Sequence, residues 1–247
     1  YDTRWGGFGN PPKFPAPTAL DLLLRFHAHD DPAAEGATVL RHVVETTLLA
    51  MASGGMVDHI GGGFARYSTD ERWLVPHFEK MLSDQALLAG GYGRAAVEFR
   101  SPVLAQVAAE TIEYVLRDLR DPAGGVRSSE DADSLDDAGV AHEGRFVTWT
   151  VDEVRAAAGD LADAALEWYS ISVDEAAGGT FEGRCIPHRL DHRGDLLRPP
   201  EVDEARRRMF EARRRRPRPG IDDKVLTEWN ALFVATLADL AALHGRA

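Results

Sequence analysis

Apolar side chains recur at helical spacing along most of the chain, and this pattern predicts a series of amphipathic helices. Long helices are predicted over residues 17–29, 36–52, 76–99 and 104–119, with a last long helix that begins near Asp222. Shorter helices are predicted over 151–158, 160–169 and 201–215. Pro76 is placed at a helix start because proline there loses no intrahelical hydrogen bond, and Asp222 suits an N-cap. The predicted fold is therefore mainly α.

One stretch, residues 121–150, interrupts the helical pattern. Short runs at 124–128 and 144–149 have the composition of strands and are separated by an acidic loop. We expect a small β-hairpin here, and we expect the strands of the protein to fall within this stretch.

The densest group of chemically active side chains follows the second predicted helix. Residues 54–68 and 73–82 contain five glycines, two histidines and several aromatic and acidic side chains. Loops held by a rigid scaffold often carry binding and catalysis. Aromatic faces beside carboxylates and imidazoles suit a polar, ring-shaped ligand such as a sugar. The alternative interpretation is a glycine-rich turn that packs tightly against helix ends.

Charge and composition narrow the function classes. The 247 residues are 44% hydrophobic, which is enough for a sizeable core, and the formal net charge is −12. Nucleic acid is therefore not expected as a partner. The basic run 206–218 is interpreted as the solvated face of a helix, with local nucleic-acid binding as the alternative. No apolar stretch approaches the roughly 18 residues of a membrane span, so no membrane partner is expected. The single cysteine excludes a disulfide within the chain and is compatible with a cytoplasmic location.

Five motifs, in order, resemble those of one protein family. They are WGGFG with PKFP (5–9 and 12–15), DHIGGGF (58–64), VPHFEKML (75–82), SEDADS (129–134) and DDKVLT with the following WN (222–230). The chain is similar to the thioredoxin-domain-containing proteins related to spermatogenesis-associated protein and its bacterial homologues. One departure directly follows the second motif, where Ala65 stands in place of the histidine that is usual in the family.

The resemblance implies an architecture and a functional class. It implies a thioredoxin-like domain, expected upstream of this chain and in the full-length protein, followed by an (α/α)6 toroid of the six-hairpin glycosidase type. Residues 1–247 would be the N-terminal part of that toroid. Such toroids are similar to those of sugar epimerases and glycosidases. That similarity concerns the fold, which does not by itself determine function.

The first candidate constellation is Asp58, His59, Arg66 and Tyr67. An imidazole and a carboxylate can exchange protons near neutral pH, and an arginine can hold an oxyanion or a carboxylate. The alternative is a buried network that braces the glycine-rich loop, and the residues alone do not separate the two.

The second constellation lies on the helix predicted from Pro76. At helical spacing His77, Lys80 and Asp84 share one face, whereas Glu79 points elsewhere. We expect His77 and Asp84 to face a ligand, with Glu79 and Lys80 as a structural pair. The spacing is not that of a zinc protease helix.

The third constellation is Glu130, Asp131 and Asp133. In an extended segment Asp131 and Asp133 share one side and Glu130 faces the other. Carboxylates this close raise at least one pKa, which can produce a general acid. The alternatives are a cation site and a solvated acidic loop.

These patterns favour a carbohydrate-active protein, either a sugar isomerase or epimerase or a glycosidase-like enzyme. The candidate catalytic residues are His59, His77, Asp58, Glu130 and Asp131, and the candidate substrate-binding residues are Arg66, Tyr67, Trp73, Asp133 and Asp84. A sugar or another polar small molecule is the expected ligand, and neither a cofactor nor a metal is expected. The alternative is a non-catalytic binding or scaffold module that serves a thioredoxin-like domain in redox or protein-quality work.

Overall fold

A computed structural model describes residues 1–29, 35–136, 138–174, 181, 183–243 and 245. The described part is mainly helical, as the periodicity predicts. Its α-helices are α1 (Pro17–His29), α2 (Glu35–Ser53), α3 (Leu82–Phe99), α4 (Pro102–Tyr114), α5 (Val151–Ala158), α6 (Ala162–Trp168), α7 (Pro200–Arg213) and α8 (Thr227–Leu243). A π-helix, Val115–Leu119, continues α4, and short 3-10 helices span Gly159–Leu161 and Leu190–His192.

Short strands form three small sheets in the described part of the chain. The strands are β1 (Tyr67–Ser68), β2 (Pro76–His77), β3 (Lys80–Met81), β4 (Ser129–Glu130), β5 (Asp133–Leu135), β6 (Ala141–Glu143) and β7 (Ile221–Asp222). β1 pairs with β2, β4 lies between β3 and β7, and β5 pairs with β6, all antiparallel.

The prediction that Pro76 begins a helix is wrong. Pro76 and Lys80 lie in the two-residue strands β2 and β3, and α3 begins only at Leu82. The preceding Met81 keeps an extended backbone, with φ −102° and ψ 138°, and the N–H of Leu82 donates to Ser128 rather than to its own helix. His77, Lys80 and Asp84 consequently do not share a helix face.

The predicted position of the hairpin is also wrong. The hairpin in residues 121–150 is formed by β5 and β6, inside the stretch expected to be a loop, and four strands lie outside 121–150. Gly124 and Gly125 have positive φ and form a turn, so the run at 124–128 contributes only the single bridge of Val126 to Arg120. Asp222 lies in β7, and the last helix begins at Thr227 rather than near Asp222.

The glycine-rich segment joins two hydrophobic cores. The first core lies among α1 to α4 and includes Met56 and Phe64 of this segment. The second lies among α5, α6 and α7 and includes Ile60. Residues 54–64 therefore pass between the two cores, where their backbone is enclosed on both sides.

Candidate functional site

A buried ion cluster occupies the centre of the glycine-rich segment. One carboxylate oxygen of Asp58 accepts hydrogen bonds from the backbone N–H groups of Ile60 (3.1 Å) and Gly61 (2.9 Å) and from the Arg213 guanidinium (2.7 Å). Its other oxygen accepts a hydrogen bond from the Lys80 ammonium at 2.9 Å. Burial alone would raise the pKa of Asp58, but the charges of Arg213 and Lys80 outweigh it and hold this pKa well below its usual range.

The cluster continues through Lys80 to a second buried carboxylate. The Lys80 ammonium also donates to the Gly62 carbonyl at 2.9 Å and lies 4.3 Å from the centre of the Tyr114 ring. The Tyr114 hydroxyl donates to Glu130 at 2.8 Å, and Arg218 donates to the other oxygen of Glu130 at 2.9 Å. The carboxylates of Asp58 and Glu130 are thus occupied by internal donors, which favours the bracing interpretation for both.

Close packing explains the glycines of this loop. Gly62 and Gly63 both have positive φ, and a Cβ on Gly63 would lie 2.6 Å from the Tyr114 ring. A Cβ on Gly62 would lie 2.5 Å from the Glu110 carbonyl. These positions require glycine for conformation and for space.

His59 is enclosed in the same region. Its Nε2 lies 2.9 Å from the Gly54 carbonyl, which can only accept, so Nε2 carries the proton. Burial lowers the pKa of His59 to about 4, and the ring is neutral at pH 7. The adjoining cavity, lined by Asp58, Lys80 and Ala65 among others, has a volume of about 10 Å³. It has room for one water molecule and not for a sugar.

A second group of predicted residues is reachable from solvent. The pairing of β1 with β2 places Tyr67 opposite His77, and their rings stack with centroids 5.1 Å apart. Phe14 contacts Tyr67 from another side, with centroids 5.0 Å apart, and 52% of Phe14 is exposed. The three rings form a partly exposed aromatic row.

Ionisable side chains border this row. The Nδ1 atom of His77 lies 2.7 Å from a carboxylate oxygen of Glu143, and the backbone N–H of Phe78 donates to the same oxygen. The Nε2 atom of His77 lies 3.8 Å from the Glu79 carboxylate, which also accepts the Arg66 guanidinium at 2.8 Å. Because a carboxylate cannot donate, the Nδ1 atom of His77 carries a proton and the Nε2 atom of the neutral ring has a free lone pair.

Asp84 adds a carboxyl that titrates near neutrality. Burial in the first turn of α3 raises its pKa to about 6, and the negative charge of Glu79 acts in the same direction. Arg66 opposes this shift without cancelling it. Asp84 therefore exists in both protonation states near pH 6. We refer to His77, Glu143, Glu79, Arg66 and Asp84, with the aromatic row, as the His77 site.

Of the remaining predicted site residues, some lie on the surface and others are buried in the core. Asp131 and Asp133 are exposed and Glu130 is buried, so the predicted alternation is confirmed. Asp133 lies directly opposite Glu143 in the hairpin, which brings it beside the His77 site. Trp73 is fully buried and its indole N–H donates to the Trp5 carbonyl, so it presents no face on which a ligand could stack.

Sequence reasoning missed two central partners, Glu143 and Arg213. They lie 66 and 155 residues from His77 and Asp58, and no local spacing connects them. The sequence carried one weak signal for an extended segment, because Phe78 is apolar between the polar His77 and Glu79. The structure buries Phe78 and leaves both neighbours half-exposed.

The described residues contain neither a metal-binding cluster nor a membrane-spanning helix. No group of three or more His, Cys, Asp or Glu side chains there is arranged to hold a metal ion. None of the helices in the described ranges has the length and apolar character needed to cross a membrane.

The amino-acid sequence is similar to known proteins over almost its whole length. The chain is 35% identical to human spermatogenesis-associated protein 20, over 100% of this chain and 34% of the human protein. It is 30% identical to an uncharacterized protein of Caenorhabditis elegans, over 96% of this chain and 36% of that protein. The chain thus spans about a third of the length of these relatives. No family model matches it.

One solved structure is also similar, the crystal structure of a sugar epimerase from a ruminal bacterium. The match has 12% identity and a TM-score of 0.45, and it covers 99% of this chain and 77% of that chain. The sequence similarity therefore confirms the resemblance to spermatogenesis-associated protein, for the part of the relatives that this chain spans.

Proposed function

We propose that the chain is a carbohydrate-active protein, similar in chemistry to a sugar isomerase or epimerase, and that the His77 site binds the sugar. The observation that carries the proposal is the His77–Glu143 pair, with 2.7 Å between Nδ1 and the carboxylate, beside partly exposed aromatic rings. A histidine oriented by a carboxylate is an arrangement suited to a general base.

The chemistry follows from the free lone pair of His77. In the proposed reaction its Nε2 atom takes the proton from the carbon next to the sugar carbonyl. The electron pair of that C–H bond moves toward the carbonyl carbon and forms an enediol. Asp84, in the protonated form that its pKa of about 6 allows, gives its proton to the carbonyl oxygen. His77 then returns its proton to the former carbonyl carbon while Asp84 takes the proton of the neighbouring hydroxyl. That hydroxyl becomes the new carbonyl, which gives the isomeric sugar and restores both side chains.

Recognition would use the side chains that surround these two groups. The exposed part of Phe14 offers apolar area for the C–H face of a sugar ring, at the edge of the aromatic row. Arg66, Glu79 and Asp133 offer donors and acceptors for hydroxyl groups. The site is therefore polar on its rim and apolar on one side, as small-molecule sites commonly are.

The proposal extends to the architecture that carries the site. Neighbouring helices pack in pairs, α1 with α2 and α3 with α4, and only two residues separate α3 from α4. We propose that these pairs belong to an (α/α)6 toroid of the six-hairpin glycosidase type. The thioredoxin-like domain that the motifs imply belongs to the same proposal.

Ligand-induced stabilisation tests the proposed site. We expect one or more members of a panel of aldoses and ketoses to raise the melting temperature, because a ligand that binds only the folded state stabilises it. His77→Gln and Glu143→Gln should abolish that increase. His192→Gln is the matched control, since His192 is exposed on a different segment. Failure of every sugar to stabilise the protein would contradict the proposal.

A specific observation favours the non-catalytic module as the second candidate. Two predicted catalytic carboxylates, Asp58 and Glu130, are held by internal cations and donors, as a bracing network requires. A binding module would keep sugar-induced stabilisation and show no chemical conversion of the sugar. Exchange of solvent deuterium into the sugar distinguishes these two functions, because only an enzyme that moves the proton catalyses it.

A further inference from the structure

A second polar cavity lies on the other face of the β5–β6 hairpin. Asp133 and Glu143 form one facing pair of this hairpin, and Ser134 with His142 form the next pair, which points to the opposite face. The cavity on that face has a volume of about 200 Å³ and is lined by Ser134 and by the guanidinium-bearing Arg145, Arg215 and Arg216, among others. It is much larger than the cavity beside His59 and can hold a small anion with water.

The Ser134 hydroxyl lacks a partner in the part of the chain that the structure describes. Ser134 is 3% exposed, and its oxygen is buried without a hydrogen bond to any described residue. Buried polar groups in folded proteins are almost always hydrogen-bonded, and an unsatisfied hydroxyl costs free energy. The absence of a protein partner is explained if a ligand in the cavity accepts a hydrogen bond from this hydroxyl.

Two of the three arginines also lack a carboxylate partner in the part of the chain that the structure describes. Among the described residues, neither Arg145 nor Arg215 has a carboxylate oxygen within 4.0 Å. Both nonetheless line a cavity whose third arginine, Arg216, is tightly held. Arg216 donates to the carbonyls of Phe146 and Thr148 at 2.8 Å each, which holds its guanidinium in place.

The two carboxylates of the cavity already have hydrogen-bond partners other than Arg145 and Arg215. Asp136 accepts the backbone N–H groups of Ala138 and Val140 and faces the ring of His142 at 3.1 Å. Glu153 pairs with Arg184 at 2.6 Å, from outside the lining of the cavity, as well as with Arg216. Among the described residues, Arg145 and Arg215 therefore lie on one wall of the cavity without a paired carboxylate.

We propose that this cavity is a binding site for a phosphate group, either inorganic phosphate or the phosphate of a monoester such as a sugar phosphate. The planar guanidinium groups of Arg145 and Arg215 donate to phosphate oxygens, and Ser134 donates its hydroxyl proton to a third oxygen. The proposal does not depend on the His77 site, because none of its anion-binding groups belongs to that site.

Binding of phosphate to the protein and its variants tests this assignment. Inorganic phosphate should raise the melting temperature more than sodium chloride of equal ionic strength, which controls for screening. Arg145→Ala and Arg215→Ala should each weaken phosphate binding by about tenfold in calorimetric titration. Arg214→Ala is the matched control and should bind as the wild type does, because Arg214 is exposed and pairs with Glu211 outside the cavity.

Ser134→Ala separates a ligand role from a structural one. Since the hydroxyl has no partner in the described part of the chain, this substitution should leave the melting temperature without phosphate unchanged or raised. The same substitution should weaken phosphate binding by roughly fivefold.

Calorimetric titrations with glucose 6-phosphate, and with glucose as its control, show whether the site prefers a phosphate monoester or inorganic phosphate. Tighter binding of the ester than of inorganic phosphate assigns the site to a phosphate monoester, and the reverse order assigns it to the free anion. Equal effects of phosphate and chloride would overturn the proposal. Undiminished binding in both Arg145→Ala and Arg215→Ala would overturn it as well.

Discussion

Replacing Asp58 by asparagine tests the bracing role of the buried cluster. The Asp58 carboxylate accepts two backbone N–H groups and both neighbouring cations, and the side chains of Lys80 and Arg213 are only 7% and 3% exposed. The amide keeps one acceptor oxygen but directs N–H groups toward a cation and leaves two positive charges without a counter-charge. Loss of one partner from a buried ion pair costs about 3–5 kcal/mol, so we expect Asp58→Asn to lower the free energy of unfolding by about that amount.

Urea unfolding at pH 7, followed by circular dichroism, measures this change from the shift in midpoint at unchanged slope. Asp152→Asn is the control, because the Asp152 side chain is 96% exposed and lies 3.9 Å from Arg155. It should change the free energy of unfolding by less than about 0.5 kcal/mol. A loss below about 1 kcal/mol in Asp58→Asn would refute the reasoning, because such a value is typical of an exposed pair.

The pH dependence gives an independent check on the same residue. The pKa of Asp58 is depressed in the folded state, so its contribution to stability is fully present above the unfolded pKa of about 3.9. The contribution is lost as pH falls below that value toward the folded pKa. Wild type should therefore lose stability more steeply than Asp58→Asn below about pH 4.

Three further outcomes are expected. Burial lowers the pKa of His59 to about 4, so the folded state binds fewer protons than the unfolded state between about pH 6.5 and 4. The contribution of His59 to the free energy of unfolding should fall by about 3 kcal/mol as pH decreases through that window. Urea titrations measure it as the difference between wild type and His59→Gln, because the raised pKa of Asp84 acts in the opposite direction in both proteins. A difference that does not change with pH would contradict the burial of His59. Gly63→Ala should lower the melting temperature markedly, because φ is +82° and the new Cβ would lie 2.6 Å from Tyr114; an unchanged value would contradict the packing. Ala65→His, which restores the residue usual in similar proteins, should cost about 1–3 kcal/mol in urea unfolding, because Ala65 is 3% exposed beside a cavity of about 10 Å³. Wild-type stability of that variant would show that the region can expand.

The helices could be predicted from sequence because their signal is local and repeated. Helix α1 has the predicted bounds, Pro17–His29, and α2 begins one residue before the predicted position. The prediction of a helix from Pro76 failed because a two-residue strand contains only a single period of its own pattern. The pairing of β2 with β1 then determined the backbone there, and periodicity contains no information on such pairing.

The sequence predicted which residue types form the site, but it did not predict the side chains with which they pair. His77, Tyr67 and Arg66 are close together because β1 and β2 are neighbours both in the chain and in space. The division between a buried cluster and an exposed site depends on Arg213 and Glu143, which only the folded chain brings to Asp58 and His77. The single-residue alternation that buries Lys80 and exposes Glu79 separates the two groups.

Exchange of solvent deuterium into a sugar tests the proposed function most directly. The protein is incubated in heavy water with each sugar that raises its melting temperature, and proton NMR follows the C–H signal next to the carbonyl. We expect that signal to decay with wild type and with His192→Gln, and to decay at least about a hundredfold more slowly with His77→Gln. Stabilising sugars that show no exchange with wild type would contradict proton transfer at the His77 site and would identify a binding module. Exchange that is equally fast in His77→Gln would place the chemistry elsewhere in the protein.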